Sequence, residues 1–367
     1  MRVLIAPDSF KGTLTATEAA VAIADGWRGA RPDDVVERCP LSDGGDGLLE
    51  VVAAGGGWTW HSAEVEDPLR RACRARWLRR ERRAVVESAA ACGLHLLTEA
   101  ERAPRRLSTF GVGQLLDAAV DGRVEQVFVG LGGSATSDGG LGLLAALGVD
   151  LRDAAGTAVG AAGAPDLDRV DRALPGPAAR WRAVDLVVVS DVTTTLPDAA
   201  RVFGPQKGAS PQDVEVLTRG LGRLADAVER GFALPGLRDQ PGTGAAGGLG
   251  FALAALGARV VDGARHVAEV VGLAERVASA DLVVVGEGQL DATSLQGKVV
   301  GATAALAREH GVPVAAVVGR AVDRPASLVA VEEASPAGPG PEPGADVRRA
   351  AGRLAATLTR AGGSGPE

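Results

Sequence analysis

Lysine is nearly absent from this chain of 367 residues: of its 39 basic residues only three are lysine, Lys11, Lys207 and Lys298. Each sits against a glycine, in Ser9-Phe10-Lys11-Gly12, Pro205-Gln206-Lys207-Gly208 and Gln296-Gly297-Lys298. A chain that uses arginine almost everywhere else thus keeps compact ammonium groups at three turns, and an ammonium meets phosphate as a point charge where a guanidinium meets it as a fork. Cysteine is scarce too. Cys39, Cys73 and Cys92 are odd in number and lack CxxC spacing, so neither a disulfide framework nor a zinc site is expected, and a reducing cytoplasm suits the chain. Excess positive charge is missing: a net charge of −7 and a pI near 5.3 leave no basic face for nucleic acid. Long apolar runs are missing as well. The first, Val3 to Ala6, stops at Pro7-Asp8, so neither a secretory signal nor a membrane span is expected. No GxxxxGK[ST] occurs, which excludes a P-loop. The four histidines (His61, His95, His266, His310) lie outside the glycine loops and form no nucleophile–histidine pair.

What the chain does have is glycine, 51 residues of it, and enough apolar residues (46%) for two cores. The densest glycine stretch runs from Gly130 to Gly142, with six glycines. It follows the strand-like Val127-Phe128-Val129 and precedes a helix expected from Leu141 to Leu147. Strand, glycine turn and helix together make an anion-binding arrangement, because helix N-termini carry unpaired N–H groups. Gly132 and Gly133 allow close backbone approach, Ser134, Thr136 and Ser137 offer hydroxyls, and Asp138 offers a carboxylate for a metal ion or a proton.

Further glycine loops follow other strand candidates. Arg2 to Ala6 reads as a strand ending in Asp8-Ser9-Phe10-Lys11-Gly12, and Thr15 to Glu18 has capping-box spacing before a helix through Trp27. Ser-Asp-Gly-Gly occurs twice, at 42–45 and 137–140; paired acidic glycine loops suit Mg²⁺, which binds one or two carboxylates plus substrate phosphates. From Trp58 the pattern changes to short alternating segments, Trp60 to Val65 and Cys73 to Leu78, which predict antiparallel strands opening a second lobe. Residues 151–180 read as a surface excursion with little periodicity. Two β-branched strands then echo each other, 185–190 ending at Asp191 and 281–286 ending at Glu287, each delivering a carboxylate at the strand's carboxyl end. Gly242 to Gly248 matches GxGxxG, but no strand precedes it, so a dinucleotide fingerprint is rejected and an NAD-dependent oxidoreductase stands only as a distant third alternative. Asp291 and Ser294 follow Glu287, a helix is expected over 299–309 and a strand over 313–318, and residues 335–345 read as a flexible link to a last helix near 347–359. Positioned cations and carboxylates without a covalent nucleophile suit phosphoryl transfer.

Taken together the loops resemble the bacterial glycerate kinase family of the glyoxylate and galactarate pathways. The resemblance rests on Ala6 to Gly12, Asp43 to Gly47, Gly130 to Gly140, Val202 to Ala209, Gly242 to Gly248, and Gly286-Glu287-Gly288 with Asp291, Ser294, Gly297 and Lys298, in the family's order. It implies ATP-dependent phosphorylation of D-glycerate with Mg²⁺, giving 2-phosphoglycerate. The implied fold is α/β in two lobes with Rossmann-like or flavodoxin-like parallel sheets, one lobe from residues 1–58 and 281–367 and the other inserted as 59–280, with the active site in the cleft. A homodimer is allowed, while nucleic-acid and membrane partners are not implied. On this reading Asp191 deprotonates the hydroxyl or binds Mg²⁺ and Lys207 assists the transfer. Asp8, Ser9, Lys11, Gly132, Gly133, Ser134, Thr136, Gln206 and Lys298 contact substrate or phosphate, and Asp43, Asp138, Glu287 and Asp291 hold metal. The chain departs from the family at the shorter stretch from Asp191 to Asp198, at Gln289 where arginine is common, and at Ser137 before Asp138. These departures bear on substrate range, so a kinase for another small hydroxy acid and a non-catalytic sugar-acid sensor stand as alternatives.

Overall fold

The structure, a computed structural model, describes residues 1–160, 163–292, 294, 299–335, 337–338 and 340–361. The chain divides into two compact units: Met1–Asp43, Glu50–Gly56 and Gly263–Glu367 make the first, Gly44–Leu49 and Gly57–Asp262 the second. The sequence reading set the crossings at residues 59 and 281. The return falls earlier because the helices Gly263–Val270 and Leu273–Ala278 belong with the first unit, where Arg276 donates to Glu37 Oε1 at 2.6 Å and to the Gly55 carbonyl at 3.3 Å.

Numbered in chain order, the strands of the first unit are β1 (Arg2–Pro7), β2 (Val35–Arg38), β11 (Leu282–Leu290), β12 (Val314–Ala321) and β13 (Ala330–Glu333). Those of the second are β3 (Thr59–Glu66), β4 (Ala72–Arg80), β5 (Arg83–Glu87), β6 (Gln126–Gly130), β7 (Asp150–Arg152), β8 (Arg172–Leu174), β9 (Asp185–Val189) and β10 (Arg259–Val261).

The first unit holds a parallel sheet in the order β13-β12-β11-β1-β2. Its central strands are continuous apolar runs, Val3 to Ala6 and Leu282 to Val285, as burial on both faces requires. The helix Ala16–Ala30 opens with the expected capping box, Thr15 Oγ1 accepting from the Glu18 N–H at 3.2 Å and Glu18 Oε2 from the Thr15 N–H at 2.9 Å. It packs Ile23 and Trp27 into the core beside Leu354 of the last helix, Pro343–Ala361, and the two helices approach so closely that a Cβ on Gly26 would lie 2.0 Å from the Arg348 carbonyl oxygen. That last helix begins at Pro343, inside the stretch read as a flexible link.

The second unit holds a mixed sheet ordered β10-β9-β6-β5-β4-β3, in which β5, β6, β9 and β10 run parallel. The alternating segments expected to be antiparallel are β3 and β4, paired from Thr59↔Arg79 to Glu66↔Ala72. Two sequence readings change here. Residues 151–180 are not a mere surface excursion: β7 and β8 pair, and Leu151, Leu167, Val170 and Ala173 join the unit's core. The helix Pro211–Phe232 went unread, although Ser210 and Asp213 form a capping box at its start. Among the described residues no helix is long and apolar enough to cross a membrane.

Candidate active site

In the second unit the buried strand β6 ends at Gly130, and the chain loops through Leu131 to Gly140 before the helix Leu141–Ala146. Ser134, Thr136, Ser137 and Asp138 are all buried in this loop. The first N–H groups of a helix have no partner within it. Asp138 supplies acceptors: Oδ1 takes the Gly140 N–H at 3.1 Å, and Oδ2 takes the Gly142 N–H at 3.2 Å, the Thr109 N–H at 2.8 Å and the Thr109 hydroxyl at 2.9 Å. Burial pushes the Asp138 carboxyl above its usual range, and the hydrogen bonds from Thr109, Gly142 and Gly140 oppose that. With both oxygens accepting hydrogen bonds inside the protein, Asp138 ties the loop to Thr109 and to the helix that follows.

Lys207 ends the turn Pro205–Lys207 and points inward, only 3% exposed. Its ammonium donates to Ser134 Oγ at 3.0 Å and to the Thr136 carbonyl at 2.7 Å, both neutral acceptors. Burial pulls its pKa down to about 8, against the opposing pull of the nearby Cys92 and Asp138. The hydroxyls of Thr136 and Ser137 are buried with no hydrogen-bond partner among the described residues. Three expected site residues, Ser134, Thr136 and Lys207, are therefore in direct contact, while Gln206 faces solvent.

Gly132 and Gly133 serve another approach. A Cβ on Gly132 would lie 2.5 Å from Gly45 Cα, and one on Gly133, where φ is +66°, would lie 2.1 Å from Asp46 Oδ1. Their missing side chains make room for the second acidic glycine loop. Asp191 is exposed just beyond β9. The segment after it is pinned to the GxGxxG-like stretch, the Gly244 N–H donating to the Thr194 carbonyl at 2.9 Å and the Leu196 N–H to Thr243 Oγ1 at 3.0 Å. The same stretch holds the focal loop, since the Gly139 N–H donates to the Gly247 carbonyl at 3.0 Å. The motif is thus a clamp on two loops at the carboxyl ends of β6 and β9.

In the first unit Asp8 follows β1, its N–H donating to the Gly286 carbonyl at 2.8 Å and its Oδ1 accepting from the Ser9 N–H at 2.6 Å. Burial first, and the negative charge of Asp43 second, raise its pKa to about 6, against the pull of the Ser9 N–H and Lys11. Asp8, Ser9, Lys11 and Asp43 therefore form one electrostatic group. Glu287 and Gln289 lie on β11, and Gln289 Nε2 donates to Asp291 Oδ2 at 3.3 Å. Ser294 Oγ accepts from the Asp291 N–H at 3.0 Å. Lys298 lies outside the described residues. Among the described residues no three His, Cys, Asp or Glu side chains are placed to hold a metal ion. The pair Asp8 and Asp43 still fits Mg²⁺, which needs only one or two protein carboxylates when substrate oxygens complete its shell.

A model of the glycerate kinase family matches residues 3–361. The chain belongs to the glycerate kinase family. Members of this family are phosphotransferases, in keeping with loops built from cations, hydroxyls and carboxylates. The chain is 38% identical over 325 residues to a glycerate kinase of Bacillus subtilis (strain 168), covering 87% of this chain and 85% of that protein. It is 36% identical over 329 residues to the glycerate 2-kinase of Escherichia coli (strain K12), covering 88% and 86%. A crystal structure from Salmonella typhimurium LT2, assigned as glycerate kinase 2, superposes with a TM-score of 0.85 at 36% identity over 99% of both chains. The α/β architecture with parallel sheets agrees with that neighbour.

Thr109 and Cys92 escaped the sequence reading. The Thr109 hydroxyl donates to Asp138 and accepts from the Leu143 N–H at 3.0 Å, joining the loop to the helix behind it. Cys92 is buried within electrostatic reach of Lys207, and burial pushes its thiol up to about 12. Each lies far from the glycine motif in sequence, so only the fold reveals the contact.

Proposed function

We propose that this chain is an ATP-dependent kinase that phosphorylates D-glycerate at its 2-hydroxyl, with Mg²⁺. The observation that carries the reading is the ammonium of Lys207, buried at the carboxyl end of the second unit's sheet and hydrogen-bonded, among the described residues, to the Ser134 hydroxyl and the Thr136 carbonyl. A cation fixed among neutral acceptors attracts an anion, and phosphate oxygens answer both its charge and the adjoining hydroxyls.

In this reading Lys207, Ser134 and Thr136 hold the phosphates, and Ser9 and Lys11, with Lys298, hold the carboxylate or phosphate of the substrate. Asp191, an exposed carboxylate at the end of β9, accepts the proton of the attacking hydroxyl. Asp8 and Asp43 are the best-matched holders for Mg²⁺, with Glu287 and Asp291 as further carboxylates of the same unit. The ion supplies neutralisation of charge on the transferring phosphoryl group. The chain works in the cytoplasm, in line with three cysteines that are all free thiols.

The test is ATP consumption by the purified protein with D-glycerate, L-glycerate, other small hydroxy acids or no acid, each with and without Mg²⁺, and ³¹P NMR of the product. Metal-dependent turnover specific to D-glycerate with phosphate on the 2-oxygen is expected. Glycerate binding without turnover would instead favour a sensor, and turnover confined to another acid would move the substrate.

A further inference from the structure

The second unit has a groove of about 690 Å³ lined by Gly57, Thr59, His61, Arg79, Arg80 and Glu81, none of which belongs to the candidate active site. Strand register places it at the other end of the sheet. Thr59 pairs with Arg79 and Arg80 with Arg83, and Arg83 in turn pairs with Gln126 at the start of β6. The catalytic loops leave the sheet beyond Glu87 and Gly130, which pair four residues further along β5 and β6. At about 3.3 Å per residue that is a separation of roughly 13 Å.

The cations of the groove are held in position. Arg79 donates to Asp121 Oδ2 at 2.5 Å and through Nε to the Glu81 carbonyl at 3.2 Å. Arg80 lies with its guanidinium 5.4 Å from the centre of the Trp58 ring and forms no ion pair among the described residues. His61 stacks on Trp77 with ring centres 5.6 Å apart. The hairpin turn between β4 and β5 carries Glu81 at φ +54°, a left-handed conformation that costs a non-glycine residue energy, and it gathers Arg79, Arg80, Arg82 and Arg83 at one corner of an otherwise acidic chain. Arg82 is offset by Glu125. Arg80 is not offset.

We propose that this groove binds a small phosphate-bearing anion, at a site separate from the catalytic loops of the same unit. Arg80, already ordered against Trp58, presents a planar fork of donors that matches phosphate oxygens, and ordering it beforehand lowers the entropy lost on binding. Arg79, its charge offset by Asp121, adds N–H donors at fixed geometry, and the Thr59 hydroxyl and His61 ring offer further hydrogen bonds.

The experiment follows the indole N–H signal of Trp58 in the full chain, assigned with Trp58→Phe, while inorganic phosphate replaces chloride at constant ionic strength. A saturable shift in the millimolar range is expected. Arg80→Gln should weaken it about tenfold or more, the scale of a charged hydrogen bond, and Lys207→Met should leave it unchanged. The same titration with ATP and with 2-phosphoglycerate identifies, by the tighter of the two, which kind of phosphate bearer the groove prefers. No shift at Trp58, an equal shift in Arg80→Gln, or a shift abolished by Lys207→Met would overturn the proposal. Because none of these readouts involves turnover, the result stands whether or not the kinase reading does.

Discussion

Replacing Lys207 with methionine removes a buried charge and tests what that charge is for. The pKa of Lys207 falls from 10.5 to about 8 on folding. At about 1.4 kcal/mol per unit, the charged form costs the folded state on the order of 3 kcal/mol at neutral pH. The sign follows from which state holds the proton. Between pH 8 and 10.5 the unfolded chain keeps it and the folded chain does not, so stability rises with pH across that window and the penalty is complete below it. The Met variant escapes the penalty but strands the Ser134 hydroxyl and the Thr136 carbonyl, at roughly 1–3 kcal/mol each. The two effects largely offset each other. At pH 7 the variant should therefore lie within about 3 kcal/mol of the parent, while kcat/KM for phosphoryl transfer falls at least about 100-fold, as when a preorganised charge is lost. Between pH 7 and 9.5 the parent should regain about 2 kcal/mol that the variant cannot. Urea unfolding read by hydrogen exchange of the β6 amides reports the second unit alone. A variant destabilised by more than about 4 kcal/mol, with a difference that does not change with pH, would mean that Lys207 is a structural tie and not a cation poised for an anion.

Asp191→Asn should lower turnover at least about 100-fold while leaving glycerate binding intact, the signature of a lost general base; near-normal turnover removes Asp191 from that role. Asp8, raised to about 6 from 3.8, destabilises the folded chain above pH 6 and ceases to do so below pH 4. Asp8→Asn should therefore raise stability by about 2–3 kcal/mol at pH 7.5 and by little at pH 4, and added Mg²⁺ should narrow the gap by stabilising the parent; a gap independent of pH refutes a carboxyl raised by burial and by Asp43. Gly26→Ala places a methyl group 2.0 Å from the Arg348 carbonyl oxygen. It should cost about 1–3 kcal/mol or more, and hydrogen exchange in the helix Pro343–Ala361 should quicken first; an unchanged melting temperature would show that the two helices can part freely.

Much of this architecture is legible in the chain because continuous apolar runs such as Val3 to Ala6, 127–129 and 282–285 have few alternatives to buried parallel strands, and their carboxyl ends are where the glycine loops begin. The three rationed lysines read alike in the chain, as point charges suited to phosphate; of the two described, Lys11 is exposed and Lys207 is buried, a difference that composition does not carry. What pattern reading could not supply is the partner of each group. Residues 151–180 lack periodicity because they bury isolated side chains from turns and a short hairpin, and burial of that kind has no period. Asp138 shows the gap, since the letter alone does not say that its oxygens accept from the N–H groups of Thr109, Gly140 and Gly142. The glycines pose the same ambiguity. Close approach is what Gly132 and Gly133 provide, yet the neighbour that needs the space is the chain's own Gly45-Asp46 segment. A motif therefore marks where donors and open space must occur, and only the contacts decide whether a ligand or the protein itself takes them. At Lys207 the acceptors are neutral and the cation stays unneutralised by them, which is why the functional reading rests there and not on the glycines.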